Sequence, residues 1–329
     1  MTDIERFVIV TGRMRSGTSL LGHLLQQRPG AQRALPELAF DNDEGRAVVD
    51  LFATVRQAIV PEIGYGDPFR EVTLEGSLLD ALRPAPDATL EDTKRDLRAR
   101  LAGEIVGLAP PGPTPHMLGL KRTSMNYEIG IIDALYRDVR LIFTVRDPRD
   151  VFVSHAKRLG SAQNAGSSLL ILAYALSNHY MLERLARAQR PVLVVRYEDM
   201  VNAPLAPMRR ILGHIGVDAA SFDFDSVLSQ AVPNNSSYGE GGGRGFVAGA
   251  GITRDSVGRF RDFIEPELGR LVELLCAPIM TAHGYAAALG DLHWEAAFQP
   301  HIDAMRKRCA AARISFEPVL RRLAELGVG

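Results

Sequence analysis

The chain has only two cysteines, one tryptophan and four lysines in 329 residues. Cys276 and Cys309 are too few for a disulfide framework or a four-ligand zinc site, and read as buried or incidental thiols. No stretch approaches the ~20 apolar residues of a membrane span, and Met1 to Arg6 lacks the charge and apolar pattern of a signal peptide. The expectation is a cytoplasmic protein without a transmembrane segment. Net charge is also scarce, at −1, which argues against a globally basic nucleic-acid binder but leaves a local anion pocket open. What is present is an ordinary globular composition, 46% hydrophobic and 23% charged, enough for a sizeable core. Because 34 of the 38 basic side chains are arginines, the position of an arginine says more than its abundance.

Three short β-branched runs, Phe7 to Val10, Leu141 to Val145 and Val192 to Val195, are each followed by polar residues and then a helical pattern. Strand, loop and helix repeated in this way predict an α/β fold: a P-loop-type parallel sheet with helices on both faces, forming one domain over 1–329. Between the first two runs, 41–117 carries helical pieces at 48–59 and 90–108, the predicted insertion that shapes an acceptor site. The Gly-rich stretch 233–251 reads as a lid or a plain connector. Residues 291–329 read as a C-terminal helical extension, with a break near 315–318 and a face suited to core packing or a homodimer contact.

Gly12-Arg-Met-Arg-Ser-Gly17-Thr-Ser19 stands between the first strand and its helix, where backbone N–H groups and a helix N-terminus converge on an anion. Its glycine spacing is that of a Walker A loop, but Thr18 holds the lysine position and the cation, Arg15, comes earlier. That pattern disfavours an ordinary ATPase or kinase. A second anion site follows the second strand: Arg146 leaves its carboxyl end, and Ser154 and Arg158 share a face if the next segment is helical.

These two motifs, with Val195-Arg-Tyr-Glu-Asp-Met200 and Ser256-Val-Gly-Arg-Phe260, resemble in kind and order those of sulfotransferases that use 3′-phosphoadenosine 5′-phosphosulfate. The resemblance spans residues 7 to about 275 and lies closer to the tyrosylprotein and carbohydrate branches, since the cytosolic branch's late Arg-Lys-Gly signature is missing. It implies that Arg15, Ser16, Gly17, Thr18 and Ser19 hold the 5′-phosphosulfate of the donor. It implies also that Arg146, Ser154 and Arg158 hold the 3′-phosphate, with Arg259 near a late basic position. Lys121, in Gly119-Leu-Lys-Arg-Thr123, is similar to a lysine that would neutralise the bridging oxygen; a surface lysine is the alternative.

Glu37, in Leu35-Pro-Glu-Leu38, lies 22 residues after Arg15 and is equally a helix-start carboxylate; the resemblance favours it as the base. His116 is the comparable histidine, in a Pro-rich loop setting. The expected reaction is in-line sulfuryl transfer to a hydroxyl, with an amine as second choice. No metal is needed, because fixed cations meet the charge that Mg²⁺ meets in a kinase. The acceptor could be a small molecule, carbohydrate, lipid or peptide. A P-loop kinase using ATP and Mg²⁺, or an inactive nucleotide-binding regulator, are the competing readings.

Overall fold

The structure is a computed structural model and describes residues 4, 6–28, 32–42, 74–123, 129–158, 169–229, 252, 254–290 and 292–328. Its first half runs β1 (Arg6–Gly12), α1 (Thr18–Gln26), β2 (Gln27–Arg28), β3 (Gln32–Arg33), β4 (Leu38–Asp41), α2 (Gly76–Leu82), α3 (Leu90–Leu108), β5 (Met117–Lys121), α4 (Ile129–Leu135) and β6 (Asp138–Val145). Then come α5 (Pro148–Arg158), α6 (Leu170–Arg187), β7 (Val192–Arg196), α7 (Tyr197–Asn202), α8 (Leu205–Ile215) and α9 (Phe224–Ser229). The chain closes with α10 (Phe260–Phe263), α11 (Pro266–His283), α12 (Gln299–Ala311) and α13 (Glu317–Glu325).

The β1 run Phe7 to Val10 is fully buried, as suits a central strand covered on both faces. It pairs in parallel with β5 on one side and β6 on the other, and the full sheet order is β4-β5-β1-β6-β7, all parallel. Alternation along β1 divides the core. Phe7 and Ile9 meet Leu118, Leu120, Leu141 and Phe143 under α2, α3 and α4. Val8 and Val10 face α1 and α8, where Leu21, Leu24, Met208 and Ile211 are buried. A third cluster joins α5, α6, α11, α12 and α13 at the flank.

Two strands go beyond the three runs that the sequence displays. β4 is short, and β5 contains Gly119 and no β-branched residue, so each becomes a strand through its neighbours rather than through its own propensity. Their presence changes the meaning of 41–117. Asp41 ends a sheet strand, and α3 is the crossover between β4 and β5, with Leu97, Leu101 and Ile105 buried against the sheet. The helix starts at a capping box in which Thr89 Oγ1 accepts from the Asp92 N–H at 3.1 Å and Asp92 Oδ2 accepts from the Thr89 N–H at 3.1 Å. The helical piece expected at 48–59 and the Gly-rich stretch 233–251 lie outside the described residues. The C-terminal tract is two helices, α12 and α13, separated at 312–316.

Candidate active site

In an open parallel sheet, ligands bind beyond the carboxyl ends of the strands where the connections diverge to either side. Here β1 is that divide, because the chain adds β4 and β5 on one side of it and β6 and β7 on the other. The loop from Gly12 to Gly17 sits at this edge. Its turn is closed by the Ser16 N–H donating to the Arg13 carbonyl at 3.0 Å, with Arg15 in the left-handed region at φ 73°. Turns of this kind require positive φ at their third residue, normally supplied by glycine.

That conformation sends both ends of Arg15 into the site. Its Nε donates to Ser154 Oγ on α5 at 2.9 Å, and its carbonyl accepts from Arg146 Nη1 at 3.1 Å. Arg15, Arg146 and Ser154, separated by up to 139 positions in the chain, therefore meet at one point. The two anion sites expected from the sequence adjoin each other and are linked by the Arg15–Ser154 hydrogen bond.

Gly17 has φ 101°, and a Cβ there would lie 2.6 Å from Tyr197 Cδ2, so only glycine lets the loop pass under that ring. Tyr197 in turn stacks on the Arg146 guanidinium, whose centre is 4.5 Å from the ring centroid, and its hydroxyl meets Ser256 Oγ at 2.5 Å. Arg146 Nη2 also donates to the Ser256 carbonyl. Both residues lie in the quoted motifs; the sequence marks Tyr197 as shaping the fold and the nucleotide side without chemistry, and gives Ser256 no role of its own.

The rest of Arg146-Asp-Pro-Arg-Asp150 anchors this cover. Asp150 accepts from the Gly258 N–H at 2.6 Å and the Phe260 N–H at 3.0 Å. Burial raises its pKa, against the pull of Arg146 and those N–H groups. Arg149 lies across Asp147 with hydrogen bonds of 2.9 and 2.6 Å, and donates to Glu273 at 2.5 Å. Glu198 accepts from the Asp147 N–H at 3.0 Å and from the Tyr285 hydroxyl at 2.8 Å, and burial raises its pKa.

The other expected residues divide. Thr18 and Ser19 open α1, whose first N–H groups have no partner within the helix. Ser16 is different: its fully buried hydroxyl donates to the Arg13 carbonyl at 2.5 Å and meets Thr144 Oγ1 at 2.7 Å, so it ties the loop to β6 instead of facing a ligand. Lys121 is 3% exposed at the carboxyl end of β5, registered opposite Val10, which corrects the surface alternative. Gly22 of α1 lies against its Cβ and the Asn42 side chain, with no room for a methyl. Arg158 closes α5, and its side chain lies outside the described residues. The Arg259 Nε turns back to the Asp255 carbonyl of its own turn.

Glu37 is not with this group. It precedes β4, so it stands at the amino edge of the sheet, where its carbonyl accepts from the N–H groups of His116 (2.9 Å) and Met117 (3.0 Å). A four-residue strand separates it from the opposite edge, about 13 Å along the sheet. His116 shares that edge. The residue β4 carries to the carboxyl edge is Asp41, registered opposite Leu120 and 1% exposed.

Among the described residues no group of three or more His, Cys, Asp or Glu could hold a metal ion, and no helix is long and apolar enough to cross a membrane. Burial raises the thiols of Cys276 to about 12 and Cys309 to about 11, so neither is a reactive thiolate.

No curated protein sequence matches the chain. Among solved structures, the sulfotransferase domain from the curacin biosynthetic pathway shares the fold, with a TM-score of 0.50 and 14% identity over 85% of this chain and 98% of that one. The sulfotransferase domain of the Synechococcus PCC 7002 olefin synthase aligns with a TM-score of 0.49 and 20% identity, covering 86% of this chain and 96% of that one. A mouse sulfotransferase complexed with PAP gives 0.43 and 14%, covering 84% and 85%. The sulfotransferase family pattern matches residues 8–221, from β1 through the Arg15 loop and the Arg146 motif to the turn after α8, and the chain belongs to the sulfotransferase family.

Proposed function

We propose that the protein moves a sulfuryl group from 3′-phosphoadenosine 5′-phosphosulfate to an acceptor hydroxyl, with an amine as second choice, by in-line displacement. The observation that carries this reading is the meeting of Arg15, Arg146 and Ser154 at the carboxyl edge beside the α1 N-terminus. A donor with phosphate at both ends of its ribose needs two adjoining anion sites, and these residues fit that need. Arg146 Nε has no hydrogen-bond partner, which leaves the guanidinium a donor for the 3′-phosphate. When bound, the donor supplies an activated sulfur–oxygen bond with phosphate as leaving group.

The chain's own groups do the rest. Arg15 and the N–H groups of Gly17, Thr18 and Ser19 hold negative charge at the 5′ end, and such fixed donors act most strongly where charge develops. Lys121 adds a buried cation beside α1. Ser154 and Arg146 orient the 3′ end, and the Arg158 position completes α5. The Ser256–Arg259 turn, pinned by Asp150, covers Arg146. We assign proton acceptance to Asp41 in place of Glu37. Asp41 supports that reading by its place: it ends β4 at the carboxyl edge, registered opposite Leu120, the neighbour of Lys121.

The donor is tested by melting the protein with 3′-phosphoadenosine 5′-phosphate beside ATP with Mg²⁺. A ligand at 100 times its dissociation constant contributes about 2.7 kcal/mol. Selective stabilisation by the bisphosphate is expected; stabilisation by ATP with Mg²⁺ alone would overturn this donor assignment and favour the competing phosphotransfer reading. In a transfer assay, Arg15→Ala is expected to lose a factor of about 10²–10³ while the distant Ser221→Ala stays at wild type. Asp41→Asn should lose turnover where Glu37→Gln does not, and the reverse result restores Glu37 as base.

A further inference from the structure

Where β6 and the start of α5 meet α6 and α11 lies a pocket open to solvent. Its walls are largely apolar, with Phe143, Val151, Leu182 and Ile279 among them. Arg13, Arg146, Asn178, His179 and His283 also line it, so the pocket borders the residue assigned to the 3′-phosphate.

Arg13 is 6% exposed, and its guanidinium lies over the Tyr174 ring at 4.2 Å. Neither its Nε nor its Nη1 has a hydrogen-bond partner, and no carboxylate pairs with it among the described residues. Asn178 is 3% exposed with both amide atoms unpartnered. Buried Arg149 shows the ordinary solution, since Asp147 and Glu273 surround it. A buried charge without a counter-ion is among the costliest arrangements in a protein interior, and an unpaired buried amide adds to it. Desolvation brings Arg13 down to about 9, still cationic at neutral pH, while burial lowers His283 to about 4 and keeps it neutral. The carboxylates that act on His179 are Glu183, 3.5 Å from its Nε2, and Glu325.

We propose that this pocket binds the carboxylate head of a small organic acid with a short apolar stem. Arg13 supplies the counter-charge, the Asn178 amide supplies hydrogen bonds, and the apolar walls receive the stem. Because Arg146 borders both sites, the test is run with the donor site filled, so that the two readings fail separately.

The probe is butyrate, with butanol as its uncharged counterpart, added at constant ionic strength to the full chain already saturated with 3′-phosphoadenosine 5′-phosphate. Butyrate is expected to raise the melting temperature saturably, butanol is not, and Arg13→Met or Asn178→Leu should weaken the butyrate effect at least tenfold. Each variant must keep its response to the bisphosphate, which shows that it is folded and reads the donor site independently. The proposal is overturned by the absence of a saturable butyrate effect in wild type, by an unchanged effect in both variants, or by competition between butyrate and the bisphosphate. Two sources of the acid are separable by labelled sulfuryl transfer. Transfer to 4-hydroxybutyrate but not 1,4-butanediol, with KM raised in Arg13→Met, identifies the acceptor's own head group. A change in diol transfer on adding butyrate identifies a separate effector.

Discussion

At Arg15 backbone and side chain make opposite demands. The left-handed φ of 73° suits glycine, yet the site needs a guanidinium there for Ser154. A residue with a Cβ in this region carries strain of about 1 kcal/mol or more, held by the Ser16 and Arg146 hydrogen bonds to the loop carbonyls. Substitution can separate the two demands. Arg15→Gly is expected to be about 1 kcal/mol more stable than Arg15→Ala in urea unfolding, while both lose sulfuryl transfer. If alanine proved the more stable, strain at this position would have to be abandoned.

Helix α11 contains Pro278, which lacks the N–H that would bond to the Leu274 carbonyl one turn earlier. Arg322 of α13 fills the gap: its Nε and Nη2 donate to that carbonyl at 3.3 and 3.0 Å. The C-terminal element thus repairs a defect in the helix it packs on. Arg322→Met should cost about 1–2 kcal/mol, because it leaves a part-buried acceptor unmet. Pro278→Ala restores the missing N–H, so in that background the same Arg322 substitution should cost less. A double-mutant cycle by chemical denaturation checks this, and additive effects would refute the repair.

On the scale of the molecule, one pH-sensitive region lies where α6, α11 and α13 pack together. Burial lowers His283 from 6.5 to about 4, with His179 and Arg196 adding repulsion, and burial also lowers His179 against the pull of Glu183 and Glu325. Both histidines take protons more readily in the unfolded chain. Their contribution is therefore complete above about 6.5 and is lost as pH falls toward 4. Urea midpoints should drop between pH 7 and pH 5, and His283→Gln should remove roughly 1 kcal/mol of that drop after solvent screening. An unchanged slope in the variant would place the sensitivity elsewhere.

Much of this was open to reading from the chain alone. The runs at Phe7, Leu141 and Val192 are apolar and β-branched because central parallel strands are covered on both faces, and that pattern is local. The same holds for the Gly12–Ser19 loop, the Arg146 motif and the helix at 90–108, where residue type and spacing specify backbone and charge. β4 and β5 were hidden, since Leu38–Asp41 and Met117–Lys121 have little strand propensity and become strands by hydrogen bonding to each other across some 80 residues. Glu37 was misplaced for the same reason. After α1, the β2–β3 ribbon and the turn at Pro36 return the chain to the amino edge, and nothing local to Leu35-Pro-Glu-Leu38 says which edge that is. The sequence by itself determined the family's loop, its charges and the central strands, all properties of short segments. Only the tertiary structure decided that Arg15 meets Ser154, that Ser16 turns inward and that Asp41 holds the edge expected for Glu37. Those outcomes depend on pairing and packing between distant segments, which no single stretch of sequence contains.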